Sequence, residues 1–116
     1  MSSNQENFLK SLLIILLITL TFIFSPPAFA ADTVSGTKIF SVQCAGCHVN
    51  GGNIIRRGKT LKKRALKKYG MDSFEAIASL VANGKSNMPA FKDRLSEKQI
   101  EDVTTYVLEQ AEKGWR

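Results

Sequence analysis

Five consecutive residues, Cys44-Ala45-Gly46-Cys47-His48, hold both cysteines and the only histidine of a 116-residue chain. The C-x-x-C-H spacing is the pattern of covalent haem attachment. Two thiols three positions apart at a helix end reach the two vinyl groups on one edge of a porphyrin as thioethers, and the histidine that follows is directed at the iron. On the residues alone, two other uses of the pair stay open. In an oxidising compartment Cys44 and Cys47 can close as a disulfide, or they can exchange thiols with a partner. Thiol exchange usually sits in a βαβ context, and no strand-like alternation accompanies this motif. Zinc would need a fourth ligand and more Cys or His than the chain carries.

The compartment is read from the other end. Leu12 to Phe24 is an almost unbroken apolar run without a charge; Lys10 precedes it, Pro26 and Pro27 follow, and the triplet Ala28-Phe29-Ala30 closes the segment. That order of parts is expected of an export signal, with cleavage after Ala30. A membrane anchor is the competing reading, but a spanning helix needs roughly 17–25 apolar residues and this run is shorter. Residues 1–30 carry one acid, Glu6, and one base, Lys10, so the 31–116 domain keeps the +6 charge of the whole chain. It is long enough for one small domain and excludes multidomain enzyme architectures. Domains of this size commonly lean on a disulfide, a metal or a cofactor.

After the leader every periodic segment is helical. Gly36 to Gln43, behind candidate caps at Thr33 and Ser35, predicts a short helix ending at the cysteine motif. Asn50-Gly51-Gly52-Asn53 is a loop by composition. Thr60 to Tyr69 predicts a second helix, with Thr60 as N-cap, Leu61, Ala65 and Tyr69 on one face and Gly70 as the stop. A third starts at Asp72-Ser73-Phe74-Glu75 and runs through Ile77, Leu80 and Val81 to Asn83-Gly84. Lys85 to Arg94 is a loop around Pro89. The last helix has Ser96 as N-cap, Gln99 three residues on, and Ile100, Val103, Val107 and Ala111 at helical spacing, with Trp115 beyond it. The expected fold is all-α, about four helices wrapped round one covalent haem.

A haem that shuttles electrons needs a second axial ligand, and Met71 and Met88 are the methionines available after the leader. Met88 is the better candidate, since a loop ahead of Pro89 can deliver a thioether across the haem from His48. Met71 opens a helix and reads as core filler. With both axial positions taken by protein atoms no site is left for a substrate, so a one-electron carrier is expected and an enzyme is not. The competing class is an enzyme or sensor in which Met88 is displaced and the iron binds a small ligand.

With C-A-G-C-H followed by G-G-N, K-T-L-K-K, Y-G-M, N-G-K, M-P-A-F, R-L, I-E-D-V, Y-V-L and a late K-G-W, residues 32–116 resemble the cytochrome c6 family. The resemblance implies the class I cytochrome c fold, a monomer, and a carrier that takes electrons from the cytochrome b6f complex to photosystem I in place of plastocyanin, some relatives also feeding a terminal oxidase. It implies that Cys44 and Cys47 hold haem c, that His48 and Met88 are axial ligands of the iron, and that Asn53 and Lys59 lie near the haem propionates. A single export signal with no transit segment ahead of it fits a cyanobacterial source and the thylakoid lumen, with the periplasm as the alternative compartment. One position departs from the family: eight residues before Met88, where a Gln typically lies against the haem, stands Leu80. Relatives with an apolar residue there are lower-potential variants, so Leu80 is expected to tune the potential downward.

Arg56, Arg57, Lys59, Lys62, Lys63, Arg64, Lys67 and Lys68 form a one-signed segment with no acid among them. Such a run is either an ordinary solvated face or a surface that steers an acidic partner by long-range attraction. Nucleic acid is not expected as a partner, because no stacking aromatics interleave the charges. An anionic membrane surface would also suit it.

Overall fold

The computed structural model describes residues 2–23 and 31–116, in two units, Met1–Ala30 and Ala31–Arg116. In the first unit, α1 (Ser3–Ile23) is apolar over most of its length. The hydroxyls of Thr19 and Thr21 donate to the carbonyls of Leu16 and Ile18, so these two polar side chains are satisfied within the helix. Among the described residues no helix is long and apolar enough to cross a membrane. Pro26, Pro27 and the Ala28-Phe29-Ala30 triplet lie outside the described residues.

The second unit begins at a cap. The Asp32 carboxylate accepts from the N–H groups of Val34 and Ser35 at 3.0 and 3.1 Å, so α2 runs Thr33–Ile39 with Asp32 as its N-cap. Neither Thr33 nor Ser35 is the cap. The helical winding ends at the cysteine motif as expected, but α2 first widens into a π-helical turn, Phe40–Cys44, that carries the chain onto the first cysteine.

A 3₁₀ turn, Val49–Gly51, leads to the basic loop, and α3 spans only Lys63–Lys68. The expected start at Thr60 fails because the preceding residues are held elsewhere. Leu61 N–H donates to Gly51 O at 2.8 Å and Leu61 O accepts from the Trp115 indole at 3.0 Å, which keeps residues 60–62 out of the helix. The apolar phase is also shifted: Leu66 is the buried residue of α3, while Tyr69 is 43% exposed. α4 (Phe74–Asn83) starts where expected, the Ser73 hydroxyl accepting from Ala76 N–H at 3.2 Å, and it buries Ile77 and Val81. α5 (Glu97–Lys113) has the full reciprocal capping box of Ser96 and Gln99 and buries Ile100, Val103, Val107 and Ala111.

α5 is the spine: α2, α3 and α4 all pack on it. The α2 crossing is close because of Gly36, where a β-carbon would lie 2.9 Å from Tyr106 Cβ and overlap the Asp102 carbonyl. Phe40, Tyr106 and Trp115 form an aromatic cluster at this crossing, with centroids 5.1 to 6.1 Å apart. Among the described residues the strand-like pairing is one bridge, between Lys85 and Met88, and the fold is all-α as expected.

Candidate functional site

The turn that ends the α2 segment winds the cysteine motif into one wall of a cavity. Ala45 N–H donates to Phe40 O and His48 N–H to Cys44 O, both at 2.9 Å, and the side chains of Cys44, Cys47 and His48 line the same space. Its volume is about 540 Å³, within the range of cofactor sites. The remaining wall is largely apolar: Leu61 before α3, Leu66 of α3, Ile77 and Val81 of α4, Phe91, and Val103 and Val107 of α5. This explains the face of Leu61, Ala65 and Tyr69 read from the sequence, since all three line the cavity while Leu66 touches both the cavity and the core.

Cys44 and Cys47 are not joined as a disulfide. Cys44 is half-buried, and burial pushes its thiol up to about 11, while Cys47 is exposed at the rim. Among the described residues no group of three or more His, Cys, Asp and Glu gathers to hold a free metal ion.

His48 has a fixed tautomer. Its Nδ1 lies 2.8 Å from the Gly52 carbonyl, which only accepts, so Nδ1 carries the proton and donates. The free lone pair is therefore on Nε2. Gly52 is a site residue the sequence reading missed: the Gly51-Gly52 pair was legible as a flexible loop, and nothing in its composition marks a particular carbonyl as an acceptor.

Met88 is delivered by a tight turn. Lys85 N–H donates to Met88 O and Met88 N–H to Lys85 O, each at 3.0 Å, with Ser86 at φ 53° between them. Gly84, at φ 68°, makes room behind it, because a β-carbon there would stand 2.7 Å from Ala90 N and 2.8 Å from the Pro89 carbonyl carbon. Phe91 N–H and Lys92 N–H then return to Val81 O and Ala82 O at 2.9 and 3.2 Å, tying the loop to α4. Met88 lines the cavity, as do Met71 and Leu80, all three half-buried.

Asn53 and Lys59 line it too. The Asn53 carboxamide is engaged inside its own loop: Nδ2 donates to Lys59 O at 3.0 Å, and Oδ1 accepts from Ile55 and Arg56 N–H at 3.0 and 2.7 Å. All eight basic side chains of the 56–68 segment are exposed. Arg56 and Lys59 reach the cavity, and Lys59 and Lys68 stand over the Tyr69 ring, 5.1 and 5.5 Å from its centroid. Lys63 pairs with Glu112 of α5 at 2.8 Å, a contact invisible in a local reading of the segment.

Two thiols, one imidazole with its Nε2 free and two thioethers round one apolar cavity fit a covalently attached haem. The sequence comparisons agree. Residues 31–107 match the family described as cytochrome C oxidase, cbb3-type, subunit III. The chain is 62% identical over 115 residues to the cytochrome c6-like protein of Nostoc sp. (strain PCC 7120), covering 97% of this chain and 100% of the relative. It is 56% identical over 110 residues to cytochrome c6 of Synechococcus sp. (strain PCC 6312), covering 92% of this chain and 98% of that one. The solved structure of cytochrome c6 from the diatom Phaeodactylum tricornutum superimposes with a TM-score of 0.71 at 46% identity, over 72% of this chain and 99% of the other.

Proposed function

The chain belongs to the cytochrome c6 family and carries one covalently bound haem c, and on that premise we propose that it takes single electrons from the cytochrome b6f complex to photosystem I. The observation that carries the reading is that the free Nε2 side of His48 and the Met88 thioether share a cavity that both cysteines also line. Cys44 and Cys47 would hold the group as thioethers, and the His48 imidazole and the Met88 thioether would hold its iron. Haem c supplies one-electron exchange between ferric and ferrous iron.

The protein's part is electrostatic and positional. Met88 would be a neutral ligand and the cavity wall is largely apolar, and both favour the less charged ferrous state. The Gly52 carbonyl works against them by making His48 a more electron-rich ligand. With His48 and Met88 both holding the iron, no position would be left for a substrate, in keeping with the family's role as electron carriers. Asn53 holds the loop that keeps Arg56 and Lys59 at the cavity, where their charges would face the propionates of the bound group. The exposed basic segment steers the carrier to an acidic partner surface. Cleavage of the leader after Ala30 and residence in the thylakoid lumen complete the reading.

A second reading is favoured by Leu80 in the cavity wall and by the 62% identity to a protein called cytochrome c6-like. In it the potential is lower and the acceptor is another oxidant, such as a terminal oxidase. An optical redox titration of the purified holoprotein, followed at the ferrous α-band, separates the two. A midpoint matched to the step between cytochrome f and the photosystem I donor supports the first reading. A midpoint well below that window supports the second, and a protein without a covalent haem band overturns both.

A further inference from the structure

We propose that Trp115 is a positioning residue for electron transfer, holding the segment whose carbonyl orients His48. The inference deepens the proposed function and rests on the reading of His48 as an iron ligand. Beyond α5, Gly114 and Trp115 both take positive φ, 70° and 60°. For a bulky side chain that is an outlier conformation which the surroundings must hold in place. Trp115 N–H donates to Gln110 O at 2.8 Å, and the turn lays the indole against the chain before α3.

The contacts there are specific. The indole Nε1–H donates to Leu61 O at 3.0 Å, and Leu61 N–H donates in turn to Gly51 O at 2.8 Å. The ring packs directly on the Gly51 backbone, where a β-carbon would lie 2.5 Å from the indole Cγ. Phe40 fixes the ring orientation from 5.1 Å. Gly52 is the next residue, and its carbonyl is the acceptor for His48 Nδ1–H. Trp115 is thus one residue removed from the group that sets the tautomer and direction of the imidazole.

The strength of that Nδ1–H bond governs how much electron density Nε2 offers. A firmly held carbonyl makes His48 the more basic ligand and favours ferric iron. Loosening the clamp weakens the bond, so the midpoint rises.

The test uses the holoprotein. Trp115→Phe keeps the aromatic stack and removes the donor to Leu61. The expected result is a higher midpoint together with faster hydrogen exchange of the His48 Nδ1–H observed by NMR. Trp115→Tyr, which likewise loses the indole N–H, has the same expected direction and stands in if the first variant yields no holoprotein. Leu95→Ala is the control: Leu95 is buried but does not line the cavity, so it lowers the melting temperature without moving either readout. Wild-type midpoint and exchange in both Trp115 variants overturn the proposal, as does a Leu95→Ala shift of equal size. The wild-type spectrum checks the underlying reading separately. If the His48 ring protons lack the strong shifts of a haem-bound imidazole, the ligand assignment falls and the proposal with it.

Discussion

The backbone N–H of Asp32 donates to Asp102 Oδ1 at 2.9 Å, joining the first turn of α2 to α5 across seventy residues of chain. Lys98, one turn earlier on α5, pairs with the same carboxylate, whose side chain is only 4% exposed. Burial pushes this carboxyl up, but the hydrogen bonds from Lys98, Asp32 and Ser35 and the Lys98 charge outweigh it and hold the group below its ordinary value. A depressed carboxyl contributes stability that is complete above its unfolded value, about 3.9, and is lost as pH falls through the folded one. Asp102→Asn is therefore expected to cost about 1–3 kcal/mol at neutral pH. Its melting temperature should also fall less steeply than wild type below about pH 4. Thermal melts of both holoproteins at pH 7 and pH 3 check this.

The same contact explains where the sequence was readable and where it was not. Ser96 and Gln99, Ser73, and the apolar spacing of α5 act within a few residues, and each stands where the local pattern puts it. The start of α2 was not local: Asp32, Thr33 and Ser35 are all competent caps, and the bond to Asp102 selects among them. Gly36 is silent in sequence because the backbone it admits belongs to a helix far along the chain. α3 misled because its apolar residues serve two surfaces, the cavity and α5, and a single-stripe reading sees one. The cysteine motif and Met88 stand out in the sequence by their side-chain chemistry, whereas the Gly52 carbonyl that accepts from His48 is a backbone atom with no signature of its own.

Met88 and Met71 line the same cavity, so spacing alone does not separate them. Both also pack against the core, but Met88 sits in a doubly hydrogen-bonded turn backed by Gly84, whereas Met71 is held by its N–H donating to Leu66 O at 2.8 Å just past α3. Met88→Ala is expected to open an axial position, so that the ferrous protein binds carbon monoxide with a shift of the Soret band. Met71→Ala should leave the spectrum and the carbon monoxide response at wild type and cost about 1–2 kcal/mol in a denaturant melt. Carbon monoxide binding by the unmodified ferrous protein would speak for the sensor class instead.

The basic segment yields a salt dependence. Screening shortens from about 30 Å at 0.01 M ionic strength to about 8 Å at 0.15 M. Bimolecular electron transfer to an acidic partner should slow over that interval, and a rate insensitive to salt removes the steering role. The effect is not shared equally. Lys63→Gln removes one unit of charge and leaves Glu112 unpaired, and Lys67→Glu removes two, so both should slow the low-salt reaction, Lys67→Glu several-fold and the more, and both should converge with wild type at high salt. Stopped-flow traces across the ionic-strength series read both variants.

Leu80 lies in the last turn of α4, where Gly84 N–H donates to its carbonyl at 2.7 Å, and its half-buried side chain lines the cavity. Leu and Gln are comparable helix formers, so Leu80→Gln leaves α4 in place and changes mainly the polarity of one patch of wall. The amide brings a dipole whose donor end favours the reduced iron. A neutral hydrogen bond is worth about 1 kcal/mol, which for a one-electron couple corresponds to a rise on the order of 40 mV. A second consequence separates tuning from repacking. An amide that finds no full set of partners in an apolar wall destabilises the fold by about 1–3 kcal/mol, so the variant should melt earlier while its midpoint rises. A redox titration and a thermal melt on one preparation read both quantities. A midpoint unmoved by Leu80→Gln would remove Leu80 as the cause of a low potential, and with it the structural ground for preferring an acceptor other than photosystem I.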